Sequence, residues 1–339
     1  MEIRKLSLIS KLLGLLFIGS NLIPISNKAL SQTGSNDGEW RSYAADAGST
    51  KYTNLEQINP ENFDQLEVAW SWTSIDADID LESILGNDAA ENISFGRLQA
   101  TPLMVNGVLF IITALNQAAA LEATTGELLW SFDPQAYLSG YSISPLGYHH
   151  RGAAYWNDEN EARILFATND GYLFSLDAET GEPDAGFAGG RIDMTNGIPR
   201  ADRSIRDYTG AVPLGTVSPV IVVGDIVVVN QITSNRPHYK ERPPTFVRGY
   251  NILSGELIWT FNTIPQAGEY GVETWQEESW RYTGNGGVWT QMSADLDLGY
   301  VYLPTEAPTN DYYGGHRPGD NLFTQSVVAV DAATGERVW

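Results

Sequence analysis

Residues 329–339 read Ala-Val-Asp-Ala-Ala-Thr-Gly-Glu-Arg-Val-Trp, and this pattern occurs more than once in the chain. Residues 120–130 repeat it as Ala-Leu-Glu-Ala-Thr-Thr-Gly-Glu-Leu-Leu-Trp, and residues 249–259 as Gly-Tyr-Asn-Ile-Leu-Ser-Gly-Glu-Leu-Ile-Trp. A fourth, imperfect copy at residues 175–183, Ser-Leu-Asp-Ala-Glu-Thr-Gly-Glu-Pro, lacks the tryptophan. One copy would predict only a hairpin turn, whereas three complete copies indicate a repeated structural unit.

The chemistry of this motif predicts a tight turn between two strands. Its glycine can adopt a positive φ, and its aspartate and threonine can hydrogen-bond to nearby backbone. The tryptophan follows the glycine by four residues and therefore lies on the next strand. We expect its flat indole to pack between neighbouring units.

Short strands and turns fill the chain between the copies, and no long stretch has the 3.6-residue hydrophobic period of a helix. Four strands per unit, with long inserts such as residues 183–213 and 262–287, predict an all-β fold, a β-propeller of four-stranded blades. The inserts of such a fold cluster on one face. An acidic surface loop is predicted at residues 75–95. The predicted strands are 66–72, 101–105, 108–113, 118–121, 127–132, 151–156, 162–168, 172–176, 218–223, 226–232, 247–251, 256–261, 288–294, 299–304, 326–330 and 336–339.

The composition limits the classes of partner. The 339 residues include 42 acidic and only 20 basic side chains, for a net charge of -22. So negative a surface repels nucleic acid and anionic lipid, and it suits a neutral substrate or a bound cation. No cysteine is present, which excludes disulfides and thiolate metal sites.

The N-terminus has the pattern of a secretory signal peptide. Basic residues at Arg4, Lys5 and Lys11 precede a short apolar run, and Ala29-Leu30-Ser31 supplies small residues for cleavage. We therefore predict a signal peptide at 1–31 and a partial propeller domain at 32–339. An uncleaved anchor is the less favoured alternative. No transmembrane span is predicted, because polar residues shorten this run and no other apolar run approaches membrane length.

On these motifs, residues 40–339 resemble the quinoprotein dehydrogenases, which depend on pyrroloquinoline quinone (PQQ) and have an eight-bladed propeller with Trp-docking motifs. Similarity to the glucose and quinate dehydrogenase branch rests on residues 151–155, 247–250, 303–304 and 313–315. The methanol branch has a vicinal disulfide where this chain has residues 148–150. About half of the eight blades are present, so the resemblance implies a C-terminally truncated chain that is inactive alone.

The resemblance also implies a set of PQQ-binding residues. Trp289 matches the tryptophan that forms the floor under the quinone, and Arg151 matches an arginine that bonds its oxygens. A flat ring suits a planar tricycle, and a guanidinium suits a cofactor with three carboxylates. Gln99 and Thr216 occupy two further contact positions. The alternatives are a core tryptophan for Trp289, a surface ion pair for Arg151 and strand-end caps for the other two.

A Ca²⁺ ion accompanies the quinone in the family. Asn235 matches the position of a side-chain metal ligand. The neighbouring aspartate of the glucose branch is Ser234 here, and the asparagine ligand of the methanol branch is Ala307. Glu306 or Asn310 would be the substitutes, and sequence spacing does not choose between them.

The catalytic base of the family is an aspartate in a segment that follows the fourth docking motif, so we expect it beyond Trp339. His149 and His150 would line the substrate pocket or serve as polar loop residues. The resemblance thus predicts a periplasmic oxidoreductase. It would oxidise a sugar, polyol or alcohol hydroxyl by hydride transfer to PQQ, with Ca²⁺ as Lewis acid, and pass electrons to a quinone or cytochrome. The alternative is a non-enzymatic propeller scaffold of the outer-membrane assembly type.

Overall fold

The computed structural model describes residues 34–35, 38–91, 93, 98–144, 146–198, 214–233 and 241–339, and within these ranges the chain is mostly β-strand. The predicted signal peptide lies outside the described residues. The strands are β1 Leu103–Val105, β2 Val108–Ile112, β3 Ala118–Glu122, β4 Leu128–Phe132, β5 Ala154–Asn157, β6 Ala162–Ala167, β7 Tyr172–Asp177, β8 Arg191–Asp193, β9 Leu214–Gly215, β10 Ile221–Val223, β11 Ile226–Asn230, β12 Ile232–Thr233, β13 Phe246–Asn251, β14 Leu257–Asn262, β15 Ser293–Asp295, β16 Tyr300–Pro304 and β17 Val327–Asp331.

These strands form four successive antiparallel sheets, which we call blades 1 to 4. The sheet orders are β1-β2-β3-β4, β5-β6-β7-β8, β10-β11-β13-β14 and β15-β16-β17. Strands β9 and β12 make a separate two-stranded ladder. This architecture confirms the prediction of a propeller built from four-stranded blades.

Neighbouring blades pack face to face because side chains along a strand alternate between the two faces of its sheet. In blade 2, Ile164 and Phe166 join the core shared with blade 1. Leu165 and Ala167 join the core shared with blade 3. A third core, around Val228 and Val301, joins blades 3 and 4. Each inner blade therefore buries both faces.

The tryptophans of the repeat pack between neighbouring blades, as the motif predicts. The indole of Trp130 in blade 1 covers Gly181 in the turn of blade 2, and its Nε1 donates to the Ala178 carbonyl over 3.1 Å. The turn glycine has a φ of 74°. Trp70 and Trp259 cover the motif turns of blades 1 and 4 in the same way and donate to the carbonyls of Ala123 and Ala332.

The motif turns all lie at one edge of the blades. Hydrogen bonds from Ala178 to the Ala162 carbonyl and from Ala332 to the Gly299 carbonyl join the two hairpin turns of a blade at that edge. Since antiparallel strands alternate direction, the long inserts emerge at the opposite edge, which we call the loop edge. Residues 42–51 pack against the inner strands, where Ala294 donates to the Ala47 carbonyl.

Two strand predictions were wrong, and one strand was not predicted. Residues 66–72 form no strand, because no ladder partner lies beside them in the described ranges, although Trp70 still docks. Residues 336–339 form only a bridge between Val330 and Arg337. Strand β8 lies within the predicted insert 183–213. After Pro183 the chain makes a detour away from β7 and then returns to it, where Asp193 pairs with Tyr172.

The predicted acidic loop at 75–95 is partly ordered and partly buried. It contains the 3₁₀ turn Ile75–Asp78 and the short helices α1 Leu81–Leu85 and α2 Asn87–Ala90. The buried Asp76 carboxylate accepts bonds from Thr113 Oγ1 at 2.6 Å and Gln117 Nε2 at 2.8 Å. This one acid therefore anchors the segment to blade 1.

Within the described ranges, the remaining helical elements are short 3₁₀ turns. They span Phe63–Gln65, Ala136–Ser139, Val272–Thr274 and Gln276–Arg281. Among the described residues, no helix has the length and apolar character needed to cross a membrane.

Candidate cofactor site

Three of the predicted cofactor residues lie at the loop edge, where the chain enters the inner strands of the blades. Arg151 precedes β5 of blade 2, Thr216 lies between β9 and β10 of blade 3, and Trp289 precedes β15 of blade 4. Successive blades thus each contribute one residue. Gln99 precedes the inner strand of blade 1 in the same way.

Arg151 is held across blades 2, 3 and 4. Its guanidinium lies 4.7 Å from the centre of the Trp289 ring. Its Nη1 donates to Ser218 Oγ at 3.1 Å and to the Trp289 carbonyl at 3.3 Å. Burial lowers the pKa of Arg151.

Ser218 and Asn230 fix the backbone beneath Trp289. The Ser218 hydroxyl donates to the Trp289 carbonyl over 2.6 Å, and Asn230 Nδ2 donates to the Val288 carbonyl. Trp289 is 40% exposed, so part of its surface remains open to a ligand although the Arg151 guanidinium lies over its ring. A core tryptophan, the alternative interpretation, would not be this exposed.

Thr216 and Gln99 are tied to the same region by backbone bonds. The Thr216 amide donates to the Thr168 carbonyl, and its buried hydroxyl donates to the Asn230 carbonyl at 2.8 Å. The Thr101 amide, two residues after Gln99, donates to the Arg151 carbonyl at 2.9 Å. Thr216 and Gln99 therefore lie within one and two residues, respectively, of Val217 and Thr101, which are bonded to the Arg151 backbone.

The two histidines before Arg151 are buried. His150 Nε2 lies 2.8 Å from the Ala167 carbonyl, and its Nδ1 accepts from the Gly152 amide. These partners fix the tautomer with the proton on Nε2. Burial lowers the pKa of His150 to about 4, and the Ala167 bond opposes this shift only in part. His150 is thus a neutral, structural histidine that orders the backbone next to Arg151.

The predicted metal ligand Asn235 lies outside the described residues. The chain before it is held by Asn285, whose Oδ1 accepts from the Thr233 amide and whose Nδ2 donates to the Ala307 carbonyl. The half-buried Glu306 is also hydrogen-bonded to Asn285, and burial raises the Glu306 pKa to about 8. The two candidate substitutes for the metal ligand were Glu306 and Asn310. Of these, Glu306 shares a hydrogen-bond partner, Asn285, with Thr233. The described ranges hold no group of three His, Cys, Asp or Glu side chains arranged for a metal.

This arrangement suits a planar anion. A guanidinium beside an open indole offers charge, hydrogen-bond donors and a flat apolar surface together. Sequence reasoning missed Ser218, which positions both Arg151 and Trp289. The only signal for Ser218 in the sequence is a shared dipeptide pattern. Ser218-Pro219 precedes β10 in the same way that Thr101-Pro102 precedes β1.

The fold and this grouping define a class of protein, a β-propeller with an arginine against a partly exposed tryptophan at its loop edge. Comparison with known proteins then gives the family. Residues 40–339 match the sequence model described as PQQ: Glucose/ethanol/alcohol dehydrogenase, beta-propeller domain. The chain belongs to this family of PQQ-dependent dehydrogenases, as the sequence resemblance predicted.

Individual relatives include both alcohol and glucose dehydrogenases. The chain is 31% identical over 330 residues to the dehydrogenase subunit of a quinone alcohol dehydrogenase from Gluconobacter oxydans, with 91% of this chain and 38% of the relative covered. It is 27% identical to quinoprotein glucose dehydrogenase A of Acinetobacter calcoaceticus, covering 93% and 39%. Among solved structures, quinohemoprotein alcohol dehydrogenase ADHIIG of Pseudomonas putida matches with a TM-score of 0.68 at 26% identity, covering 89% and 40%. The chain thus spans about two fifths of the length of these relatives.

Proposed function

We propose that this chain is the cofactor-binding part of a PQQ-dependent dehydrogenase that oxidises the hydroxyl group of a sugar, polyol or alcohol. The proposal rests on one observation above all, the Arg151 guanidinium 4.7 Å from the half-open ring of Trp289. Family membership supports the reaction type. The sugar or polyol class rests only on the resemblance of the motifs to the glucose branch.

The residues present fit the cofactor. PQQ is planar and carries three carboxylates, so Trp289 would support its ring while Arg151 pairs with an oxygen or carboxylate. Gln99 would add a hydrogen bond from blade 1, and Thr216 of blade 3, whose buried hydroxyl donates to the Asn230 carbonyl, would contribute only as an acceptor. Bound PQQ would supply a hydride acceptor for this chemistry, and a Ca²⁺ ion would supply Lewis acidity. The chain itself positions the ring and screens its negative charge.

We propose Asn235 as a Ca²⁺ ligand, with Glu306 as the accompanying carboxylate. A hard cation prefers oxygen ligands, and a carboxylate kept partly neutral by burial becomes charged when a cation lies beside it. Glu306 would then take the part that an asparagine plays at the Ala307 position in the methanol branch.

Localisation and electron transfer follow from the same proposal. The predicted signal peptide at 1–31 supports export to the periplasm. There the reduced cofactor would pass electrons to a quinone or a cytochrome. The proton acceptor for the substrate hydroxyl is not assigned to any of the described residues.

Equilibrium binding of PQQ tests the proposal. We expect quenching of tryptophan fluorescence by PQQ in the presence of Ca²⁺. Trp289→Ala should weaken binding by about 10- to 100-fold, because it removes the ring platform. Arg151→Lys should weaken it by about tenfold, because an ammonium cannot make the paired hydrogen bonds of a guanidinium.

Trp280→Ala is the matched control. Trp280 also lies beneath an arginine, with the Arg281 guanidinium 4.7 Å from its ring, but in a 3₁₀ turn away from the inner strands. It should leave the affinity unchanged. Failure of the unaltered chain to bind PQQ would favour the scaffold alternative. Equal effects of the Trp280 and Trp289 substitutions would remove the assignment of Trp289.

A further inference from the structure

The motif turn of blade 3 differs from the turns of blades 1, 2 and 4 because, among the described residues, no tryptophan covers it. The second copy of the motif, which would supply that tryptophan from blade 2, continues with Pro183 instead. Gly255 of the blade 3 turn is covered by Ala188 and Ile192, whose side chains would lie 3.0 and 3.2 Å from a Cβ built on the glycine. These two side chains replace the apolar surface of an indole. They cannot donate the hydrogen bond that an indole Nε1 makes in the other turns, so another residue has to supply it.

Arg163 supplies that hydrogen bond. The docking tryptophans donate to the carbonyl of the residue after the motif aspartate, as Trp130 does to Ala178. In blade 3 the corresponding carbonyl belongs to Ile252, since Asn251 takes the aspartate position. Arg163 Nη1 donates to this carbonyl at 2.5 Å and to the Leu253 carbonyl at 3.3 Å. The side chain comes from β6 of blade 2, so it crosses the same interface as the missing indole.

Two carboxylates fix the guanidinium in this position. Arg163 Nη2 lies 2.7 Å from Asp184 and 2.9 Å from Glu161, and the arginine is only 5% exposed. The Trp156 ring lies 5.6 Å from the guanidinium. A buried guanidinium needs such compensation, because a charge without partners is costly away from water. Asp184 lies in the segment after Pro183 that takes the place of the tryptophan. This segment therefore provides both the apolar side chains over Gly255 and the counter-charge for Arg163.

We propose that Arg163 is the docking residue of the interface between blades 2 and 3, in place of a tryptophan. This interface also carries candidate cofactor residues at its loop edge. There the Arg151 amide donates to the Val217 carbonyl, and the Thr216 amide donates to the Thr168 carbonyl. Arg163 therefore acts as a positioning residue. It fastens blade 3 to blade 2 at one edge, while the site that spans both blades lies at the other.

Hydrogen exchange of single amides in the full chain, without cofactor, tests this role. Arg163→Leu should accelerate exchange at the Ile252 and Gly255 amides at least about tenfold, because the turn loses the side-chain donor to its carbonyls. The Gly181 and Gly335 amides, in turns covered by tryptophan, should change less than about twofold. Trp130→Leu is the matched control and should accelerate exchange at Gly181 but not at Gly255.

Asp184→Asn provides a second variant that keeps the shape of the side chain. We expect acceleration of about threefold at the same two amides, since the guanidinium loses one fixed counter-charge. Unchanged exchange at Ile252 and Gly255 in both variants would overturn the proposal. So would equal acceleration in all the motif turns, which would indicate general destabilisation. Because no cofactor is added, this result is independent of whether the chain binds PQQ.

Discussion

At the scale of single residues, His150 and Arg151 are adjacent in sequence but differ in role. The His150 ring is wholly buried and bonded to backbone on both sides. The Arg151 guanidinium reaches across to Trp289 and Ser218. The buried neutral histidine thus fixes the backbone from which the charged side chain projects.

The pKa of His150 predicts a loss of stability in acid. The unfolded chain takes up a proton on this histidine below about pH 6.5, whereas burial holds the folded pKa at about 4. As the pH falls through this window the unfolded state binds more protons, so the free energy of unfolding decreases. The slope should approach about 1.4 kcal/mol per pH unit.

Urea unfolding measured between about pH 7 and about pH 5 checks this dependence. His150→Gln should lower stability at neutral pH and make the remaining stability less sensitive to acid. His316→Gln, at a half-buried histidine of blade 4, is the control and should keep the dependence of the unaltered chain. An unchanged acid dependence in the His150 variant would show that other groups cause it.

Resemblance to a family identifies Arg151 and Trp289 from the sequence alone, because both sit in recognisable local motifs. Ser218 could not be found in this way, and sequence spacing could not choose between Glu306 and Asn310. Both residues act through contacts with residues distant in the sequence, Ser218 with Trp289 and Glu306 with Asn285. A single sequence does not encode such pairings in any local pattern.

At the scale of elements, the contact between a tryptophan and a motif glycine should contribute substantially to stability. A Cβ at Gly181 would lie 2.5 Å from Trp130 Cε3, at a φ of 74°. Gly181→Ala therefore has to displace the indole as well as strain the backbone. We expect a loss of about 3 kcal/mol or more in the free energy of unfolding.

Gly107→Ala separates these two effects. Gly107 has a similar φ of 79°, but a Cβ there would meet no atom within 4 Å. It should cost only about 1 kcal/mol, the strain of a left-handed alanine. Denaturant unfolding of both variants gives the comparison. Equal losses would mean that the indole contact contributes nothing beyond the turn conformation.

Most strands could be predicted from alternation and turn residues, as with the Asn106-Gly107 hairpin between β1 and β2. The failures share one cause. Residues 66–72 alternate like a strand but find no ladder partner among the described residues, whereas β8 lacks a strong pattern and forms because β7 offers its edge. Pairing is a non-local property, so the pattern of a segment alone does not decide it.

At the scale of the whole molecule, consecutive blades share hydrophobic cores, and one residue from each blade converges on the loop edge. The chain spans about two fifths of the length of its relatives. A site built between blades depends on their relative positions, which the docking contacts set. Cofactor binding and blade packing should therefore be linked in this protein.

Diffraction from crystals of the chain grown with PQQ and Ca²⁺ tests the central claim most directly. We predict planar density stacked on the Trp289 ring, with the Arg151 guanidinium at its edge against an oxygen or carboxylate. PQQ bound at another surface, or crystals that bind no PQQ while Trp289 remains open, would contradict the assignment of this site.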